Sequence, residues 1–265
     1  DFLSAELPKG SITKLVTPDA AVKKVVQPYP TFGGREKETA DTFYMWVSER
    51  LRHKNRAITL WDYERLILEA FPQIYKVKCL NHTHYEPGDG GKPIYREAAP
   101  GHVTIVTIPN LHNHNAIDPL RPYTNLGDLD LIKNFLEQHV SSFVRLHVYN
   151  PVFESIRVDF KVKFFAGTDE TFYKALLQTE LVNFLSPWAF GEGKDISFGG
   201  KIYKSSLIDF VEEQPYVDYV TDFKLFHKIG EEPESSDTDE VSASKAISIL
   251  VSAKAIDHKI EMIAE

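Results

Sequence analysis

Apolar residues that recur every three or four positions predict several amphipathic helices in this chain. The first is predicted over residues 40–51. A second should begin after Thr59, whose hydroxyl can cap a helix, and should end before Pro72, because proline disfavours helical geometry in the residue that precedes it. The same reasoning predicts helices over residues 129–140, 170–186 and, with Ser205 as the N-cap, 205–211.

Alternation of apolar and polar residues predicts the strands, because successive side chains of a strand point to opposite faces. The clearest strand runs from Ile156 to Phe164, where apolar residues alternate with charged ones. Residues 85–101 are rich in Gly and Pro and are predicted to form a long loop. Five further strands are predicted at residues 75–79, 102–108 and 217–226, with two closing strands at 247–251 and 260–262.

This succession of elements predicts an α+β fold with two small mixed α/β units, each with helices packed on a short sheet. Residues 230–240 hold six acidic and no basic residues, so we expect a solvated, mobile linker there. The predicted boundaries are 1–34 for an N-terminal arm or linker from a longer chain, 35–118 for the first unit, 119–229 for the second, 230–245 for the acidic linker and 246–265 for a terminal pair of strands.

Two segments of the sequence resemble each other. Residues 71–77 and 214–220 both follow a predicted helix, contain a proline at the second position and lead into a strand. The similarity predicts two related helix-to-strand units, and chance similarity between helix stops explains it equally well.

The composition narrows the possible functions. With 43% hydrophobic residues among 265, the chain can bury a core. Thirty basic residues face 38 acidic ones, and the resulting net charge of −8 argues against a general nucleic-acid binder. No run of the sequence approaches the ~20 apolar residues that a membrane span requires. Cys79 is the single cysteine, so the chain can form neither an intrachain disulfide nor a cysteine-based zinc cage.

Histidine clustering is the one metal-like feature of the sequence. His82 and His84 close the first predicted strand, and His112 and His114 lie in a later loop. Alternate residues of a strand point the same way, so His82 and His84 could share a metal ion near Cys79, although solvated loop histidines fit the pattern equally well. We assign no catalytic residue, cofactor or metal ligand, and the alternative function is a metal-dependent hydrolase that uses both histidine pairs.

A basic run closes the first predicted helix. It contains Arg50, Arg52, Lys54 and Arg56. Cations suit the C-terminal end of a helix because they face the negative end of its dipole, so the run is either a solvated cap or a contact patch for a protein partner. A second alternative function, a ligand-binding module, would require the three tryptophans, Trp46, Trp61 and Trp188, to be exposed.

Two stretches of the sequence resemble the baseplate J-like proteins, which are baseplate wedge proteins of contractile phage tails and related injection systems. The first, residues 46–66, has the arginine-rich helix end, the Thr-capped helix and the Asp-Tyr-Glu of that family. The second, residues 195–209, has a Gly-rich turn and a short helix, and it leads to the Val-Asp-Tyr-Val of residues 217–220. The similarity extends over about residues 31–228.

The resemblance implies a non-enzymatic wedge component that is assembled in the bacterial cytoplasm and becomes part of a tail-like particle. The implied partners are other wedge proteins, including a second copy or a paralogue, together with hub or spike and sheath-proximal proteins. It also implies that the chain is the C-terminal portion of a larger protein. Such a part needs edges for its partners, so we expect residues 12–16 or 247–251 to add to a neighbour's sheet or to lie unpaired.

Overall fold

A computed structural model describes residues 7–31, 39–86, 88, 93–110, 118–189 and 195–263. These ranges contain five α-helices: α1 (Ala40–His53), α2 (Leu60–Ala70), α3 (Leu126–Glu137), α4 (Glu170–Leu185) and α5 (Lys204–Glu212). They also contain eleven strands: β1 (Ile74–Asn81), β2 (His84–Glu86), β3 (Ile94–Arg96), β4 (His102–Pro109), β5 (Arg145–Tyr149), β6 (Val152–Phe164), β7 (Lys201–Tyr203), β8 (Val217–Ile229), β9 (Glu240–Ser242), β10 (Ser248–Ser252) and β11 (Lys259–Met262). The predicted α+β class is confirmed.

The first sheet has the order β1-β4-β5, with β4 antiparallel to β1 and parallel to β5. Helices α2 and α3 cover one of its faces, because each carries an apolar stripe that is buried only against the sheet. Side chains from both layers form the core between them and are fully buried: Ile67, Ile105, Ile132 and Leu136.

The second sheet is organised around β6, which is 13 residues long. Strand β8 pairs with it antiparallel along one edge, and β10 and β11 pair with it parallel along the other, one after the other. Both closing strands are therefore confirmed, but they pair with β6 and not with each other, because β6 is long enough to hold both. Helices α4 and α5 complete a core whose largest members are Phe160, Leu177, Leu181, Leu207 and Leu225.

The two sheets also share buried contacts. Ile108, at the end of β4, packs with Phe153 and Val251 of the second sheet. The Lys76 Nζ atom of β1 lies 2.6 Å from a carboxylate oxygen of Asp195. The division into two units stays a prediction, since this apolar and ionic contact joins them in the described part of the chain.

Short elements and helix starts depart most from the sequence-based expectation. Residues 85–101 do not form a plain loop, because β2 and β3 pair there as an antiparallel hairpin. Helix α5 begins at Lys204, and its N-cap is Tyr203, which makes no side-chain capping hydrogen bond, so the prediction of Ser205 as the N-cap is wrong. The first residue of α5, Lys204, has an ion pair at this helix start, with its ammonium 2.8 Å from the Asp237 carboxylate.

The two similar segments form the same turn. In the first, the Ile74 N–H donates to the Phe71 carbonyl at 3.0 Å, and in the second the Val217 N–H donates to the Gln214 carbonyl at 3.0 Å. Proline follows the first residue in each turn, which is the position where its fixed φ is favourable. The local similarity of the two helix-to-strand connections therefore has a structural basis.

The acidic segment after β8 is solvent-exposed, as its charge predicts, but it is also tied to the second sheet. Glu234 accepts two hydrogen bonds of 2.8 Å from the Arg157 guanidinium. The Asp237 carboxylate accepts the Leu225 N–H at 2.9 Å. The segment is therefore solvated but attached, because these charges have partners on β6 and β8, and its mobility stays a prediction.

The two segments expected to pair with a neighbouring chain differ from each other. Ile249 and Val251 in β10 are fully buried beside β6, so the expectation is wrong for residues 247–251. Residues 12–16 form no strand and are exposed. Two hydrogen bonds close the base of this N-terminal loop: the Leu7 N–H donates to the Thr31 hydroxyl, and the Thr31 N–H donates to the Leu7 carbonyl. For this arm, pairing with a partner stays a prediction.

Within the described ranges, no helix has both the length and the apolar character needed to cross a membrane.

We expect Thr59→Ala to lower the free energy of unfolding by about 1 kcal/mol. The Thr59 hydroxyl accepts the Asp62 N–H at 3.3 Å, and the Asp62 carboxylate accepts the Thr59 N–H at 2.8 Å, so the alanine removes one half of a capping box. Urea denaturation followed by circular dichroism measures the change. Thr179→Ala, at an exposed position inside α4, is the matched control and should cost nothing, because alanine is the better helix former. Equal losses in both variants would contradict the capping role.

Candidate functional site

Three histidines from three strands meet beside the first sheet. His102 opens β4, His147 lies in β5 and His84 opens β2 of the hairpin. In the parallel pairing of β4 with β5, His147 is level with Thr104, so His102 and His147 project from the same face. The intervening Val103 belongs to the core under the helices, which places the imidazoles on the face opposite to α2 and α3.

The three imidazoles, named here the histidine cluster (His84, His102 and His147), are in direct contact. Their ring centroids lie 4.5, 4.6 and 5.0 Å apart. His102 Nδ1 is 2.8 Å from His147 Nε2, a hydrogen-bond distance. A carboxylate lies beside them, because Glu86 Oε1 is 2.9 Å from His84 Nε2 and 3.8 Å from His147 Nδ1. Imidazole nitrogens grouped with a carboxylate are a donor set that suits a divalent transition metal.

The surroundings of the histidine cluster shift its protonation. Burial, followed by the neighbouring His84, lowers the pKa of His147 to about 4. The same two causes lower the pKa of His102. The adjacent His84 imidazole lowers the pKa of Glu86. Near neutral pH the site therefore presents neutral His102 and His147 imidazoles and an ionised carboxylate, which are the forms that ligate metals.

The site predicted from His82, His84 and Cys79 is not formed. His82 lies in the turn between β1 and β2 with a positive φ of 51°, and it is exposed, so it does not share a strand face with His84. Cys79 is buried in the core under the helices, where burial raises the pKa of its thiol. His112 and His114 lie outside the described residues.

A second feature of interest is helix α1, which presents most of its side chains to solvent. Glu49 and His53 are its buried residues, although the apolar spacing predicted that an apolar face would be buried. The large apolar side chains of α1 are instead exposed: Phe43, Tyr44, Met45, Val47 and Leu51. The periodicity predicted the helix correctly and its buried face incorrectly.

The four basic residues predicted as partner contacts surround the C-terminal end of α1. Arg50 reaches a carboxylate of α2 at 3.7 Å, and the Arg52 guanidinium lies 4.1 Å from the centre of the Trp61 ring. Lys54 is the C-cap in a left-handed conformation and donates its N–H to the Arg50 carbonyl. Lys54 and Arg56 are both exposed. We name these four residues and the exposed apolar residues of α1 the α1 surface.

The tryptophans do not form an open ligand platform. Trp46, Trp61 and Trp188 are each half-buried, and Trp188 packs against the core that the two sheets share. The alternative of a ligand-binding module required these rings to be exposed, so the structure does not favour it.

Comparisons with known proteins bear on the whole chain. The family model of baseplate protein PVC11-like matches residues 1–252. Among curated proteins, none matches. The chain is similar to a chain in the cryo-electron microscopy structure of the anti-feeding prophage baseplate, sixfold symmetrised, with a TM-score of 0.57 and 23% sequence identity. The similarity covers 95% of this chain and 50% of that chain, so the present chain spans about half of its length, and at this identity it shows a shared fold.

Proposed function

We propose that this chain, which belongs to the PVC11-like family of baseplate proteins, is a structural wedge component in the baseplate of a contractile injection system. The observation that carries the proposal is the family match over residues 1–252. The fold shared with a chain of the anti-feeding prophage baseplate supports it. In this proposal the chain has no catalytic role, assembles in the bacterial cytoplasm and is then incorporated into a tail-like particle.

The proposed partners are other wedge proteins, including a second copy or a paralogue, with hub or spike and sheath-proximal proteins beside them. The baseplate that contains the similar chain is sixfold symmetrised, which fits repeated copies around an axis. The proposal extends this ring arrangement to the present chain.

The α1 surface is the part of the chain that we propose as a partner contact. Exposed apolar side chains gathered on one helix are a common mark of a protein interface. The basic residues at the helix end supply charge, which favours a partner with acidic groups opposite them. Both features lie on α1 and the few residues directly after it, so a single groove on a neighbouring protein could cover them.

We expect the double variant Tyr44→Ser/Leu51→Ser to bind the neighbouring baseplate proteins at least tenfold more weakly. These side chains are 68% and 70% exposed, so the change leaves the fold intact. Burying two such side chains at an interface contributes about 1.5–3 kcal/mol each. Co-purification with baseplate proteins encoded beside this one, followed by titration, measures the loss.

The matched control is Leu131→Ser, which makes the same chemical change on α3 at a position that is 57% exposed. It should bind as the unchanged chain does. Equal binding by all variants would remove the α1 surface from the interface while leaving the wedge role in place. If the unchanged chain associates with none of the baseplate proteins, the wedge role itself is wrong.

A further inference from the structure

We propose that His84, His102 and His147, with Glu86 as a fourth ligand, bind one zinc ion that fixes the β2–β3 hairpin to the first sheet. The proposal concerns a site in the fold and does not depend on the proposed wedge role. Its starting observation is that the three histidines, from three separate strands, each offer a ring nitrogen within 4.8 Å of the other two.

The distances fit a tetrahedral ion after small side-chain adjustments. Zinc–nitrogen bonds of about 2.0–2.1 Å place the ligand atoms of a tetrahedral site about 3.3 Å apart. His102 Nδ1 and His147 Nε2 are 2.8 Å apart, and Glu86 Oε1 is 2.9 Å from His84 Nε2. One ligand nitrogen from each of the three histidines lies within 4.8 Å of the other two. The two distances lie below the required value and the 4.8 Å limit lies above it, and rotations of the imidazoles and of the Glu86 side chain would bring the four ligand atoms toward it.

Chemistry also distinguishes this cluster from ordinary packed histidines. Direct contact among three imidazoles satisfies few of their nitrogens, since His102 and His147 can share only one proton between them. A metal ion would accept a lone pair from each ring at the same time. Three nitrogen donors and one carboxylate are a donor set that zinc takes in proteins, whereas magnesium and calcium prefer oxygen ligands throughout.

The position of the ligands defines what the ion would do. His84 and Glu86 belong to the hairpin, whereas His102 and His147 belong to the first sheet. The hairpin is also held by a hydrogen bond of 2.7 Å from the Thr104 hydroxyl to the Thr83 carbonyl and by aromatic packing around Tyr85. The Tyr95 hydroxyl of β3 accepts the Ala246 N–H at 3.2 Å. A bound ion would therefore cross-link a three-residue strand to the middle and edge of a sheet.

The test uses the chain purified without a polyhistidine tag, stripped with a chelator and titrated with zinc in a calorimeter. We expect one zinc ion per chain and a rise in the melting temperature, because an ion that binds only the folded chain stabilises it. Replacing zinc with Co²⁺ should give the intense visible bands of a four-coordinate site. Hydrogen exchange of amides in residues 84–96 should slow when zinc is added.

Variants assign the ligands. His102→Gln and His147→Gln should each weaken zinc binding at least tenfold, and Glu86→Gln should weaken it less. His82→Asn is the matched control, because it removes an exposed histidine next to the hairpin and asparagine tolerates a positive φ; its affinity should match the unchanged chain.

Three results would overturn the proposal. The first is that the unchanged chain shows no saturable one-to-one binding. The second is that His102→Gln and His147→Gln, with circular dichroism spectra of folded protein, bind as tightly as the control. The third, which holds even if those variants fail to fold, is a Co²⁺ spectrum of the unchanged chain with only the weak bands of a six-coordinate ion.

Discussion

We expect Glu154→Ala to lower the free energy of unfolding by about 3 kcal/mol, in the range seen when one partner of a buried polar network is removed. Glu154 lies in β6, and its side chain is fully buried. Its carboxyl group accepts the Ser244 N–H at 3.0 Å and also contacts the Ser244 hydroxyl. The His227 Nε2 atom of β8 lies 2.8 Å from the same group. One side chain therefore joins β6, β8 and the segment that leads to β10.

The matched control for this prediction is Glu240→Ala. Glu240 pairs with Lys201 at 3.3 Å, but both side chains are 51% exposed. An exposed pair of this kind contributes below about 1 kcal/mol. Urea denaturation monitored by tryptophan fluorescence compares the two variants. Similar losses at Glu154 and Glu240 would show that the buried network does not stabilise the second sheet.

Glu154 also shows where reading the sequence alone falls short. The alternation that predicted β6 was counted from Ile156, but the strand begins at Val152. Continuing the alternation back by two residues places Glu154 on the same face as Ile156, which is the buried face. A charged residue at that position argues against a strand in the sequence. The structure accommodates it because Ser244 and His227, distant in sequence, supply the hydrogen bonds.

Elements whose determinants are local were predicted well. The Thr59 cap and the stop at Pro72 were read from neighbouring residues, and α2 begins and ends beside them. For α1 the spacing predicted a helix with an apolar face, and that helix exists. Periodicity shows only that such a face is present, and what covers it depends on the rest of the chain and on its partners. This is why Leu51 is exposed although its spacing fits the apolar face of an amphipathic helix.

The histidine cluster depended on information that no local pattern carries. His102 and His147 are 45 residues apart, and only the parallel pairing of β4 with β5 brings them together. The adjacent pair His82 and His84 gave the stronger signal in the sequence, although the turn at His82 separates them. The β2–β3 hairpin was missed for a similar reason, because strands of three residues are too short to show alternation.

The resemblance to baseplate proteins carried the functional prediction further than any pattern of residues did. Composition and charge excluded classes of protein without selecting one. The residues behind the resemblance were a capped helix, a Gly-rich turn and a strand entry, all of which serve the fold. The prediction of a baseplate protein is confirmed by the family match, and the wedge role stays a proposal.

We expect a second large loss of folding stability when the pH is lowered. Burial lowers the pKa of His258 to about 4, whereas an imidazole in an unfolded chain titrates near 6.5. Between these values the unfolded chain binds a proton that the folded chain does not, so the free energy of unfolding falls as the pH falls through this window. Within this window the free energy of unfolding falls by about 1.4 kcal/mol for each pH unit, and His258 alone accounts for a loss of about 3 kcal/mol across the whole window.

The hydrogen bonds of His258 show why the neutral form is preferred. Its Nδ1 atom accepts the Val158 N–H of β6 at 3.2 Å, so the ring proton is on Nε2. That nitrogen is 2.9 Å from the Ser252 hydroxyl of β10, which itself donates to the Ala253 carbonyl at 2.8 Å. A second ring proton would occupy the acceptor of the Val158 bond and place a charge in the buried joint between β6 and β10.

Urea denaturation at a series of pH values from about 7 to 4 tests this account. The unchanged chain should lose stability steadily on acidification, and His258→Gln should be less stable near neutral pH but lose less as the pH falls. The free energy of unfolding of His258→Gln should still fall somewhat with pH, because His102 and His147 also have lowered pKa values. His82→Asn, at an exposed position, is the control and should follow the unchanged chain. If His258→Gln keeps the full acid dependence, the titrating group lies elsewhere, and the joint between β6 and β10 does not set the stability of this protein at low pH.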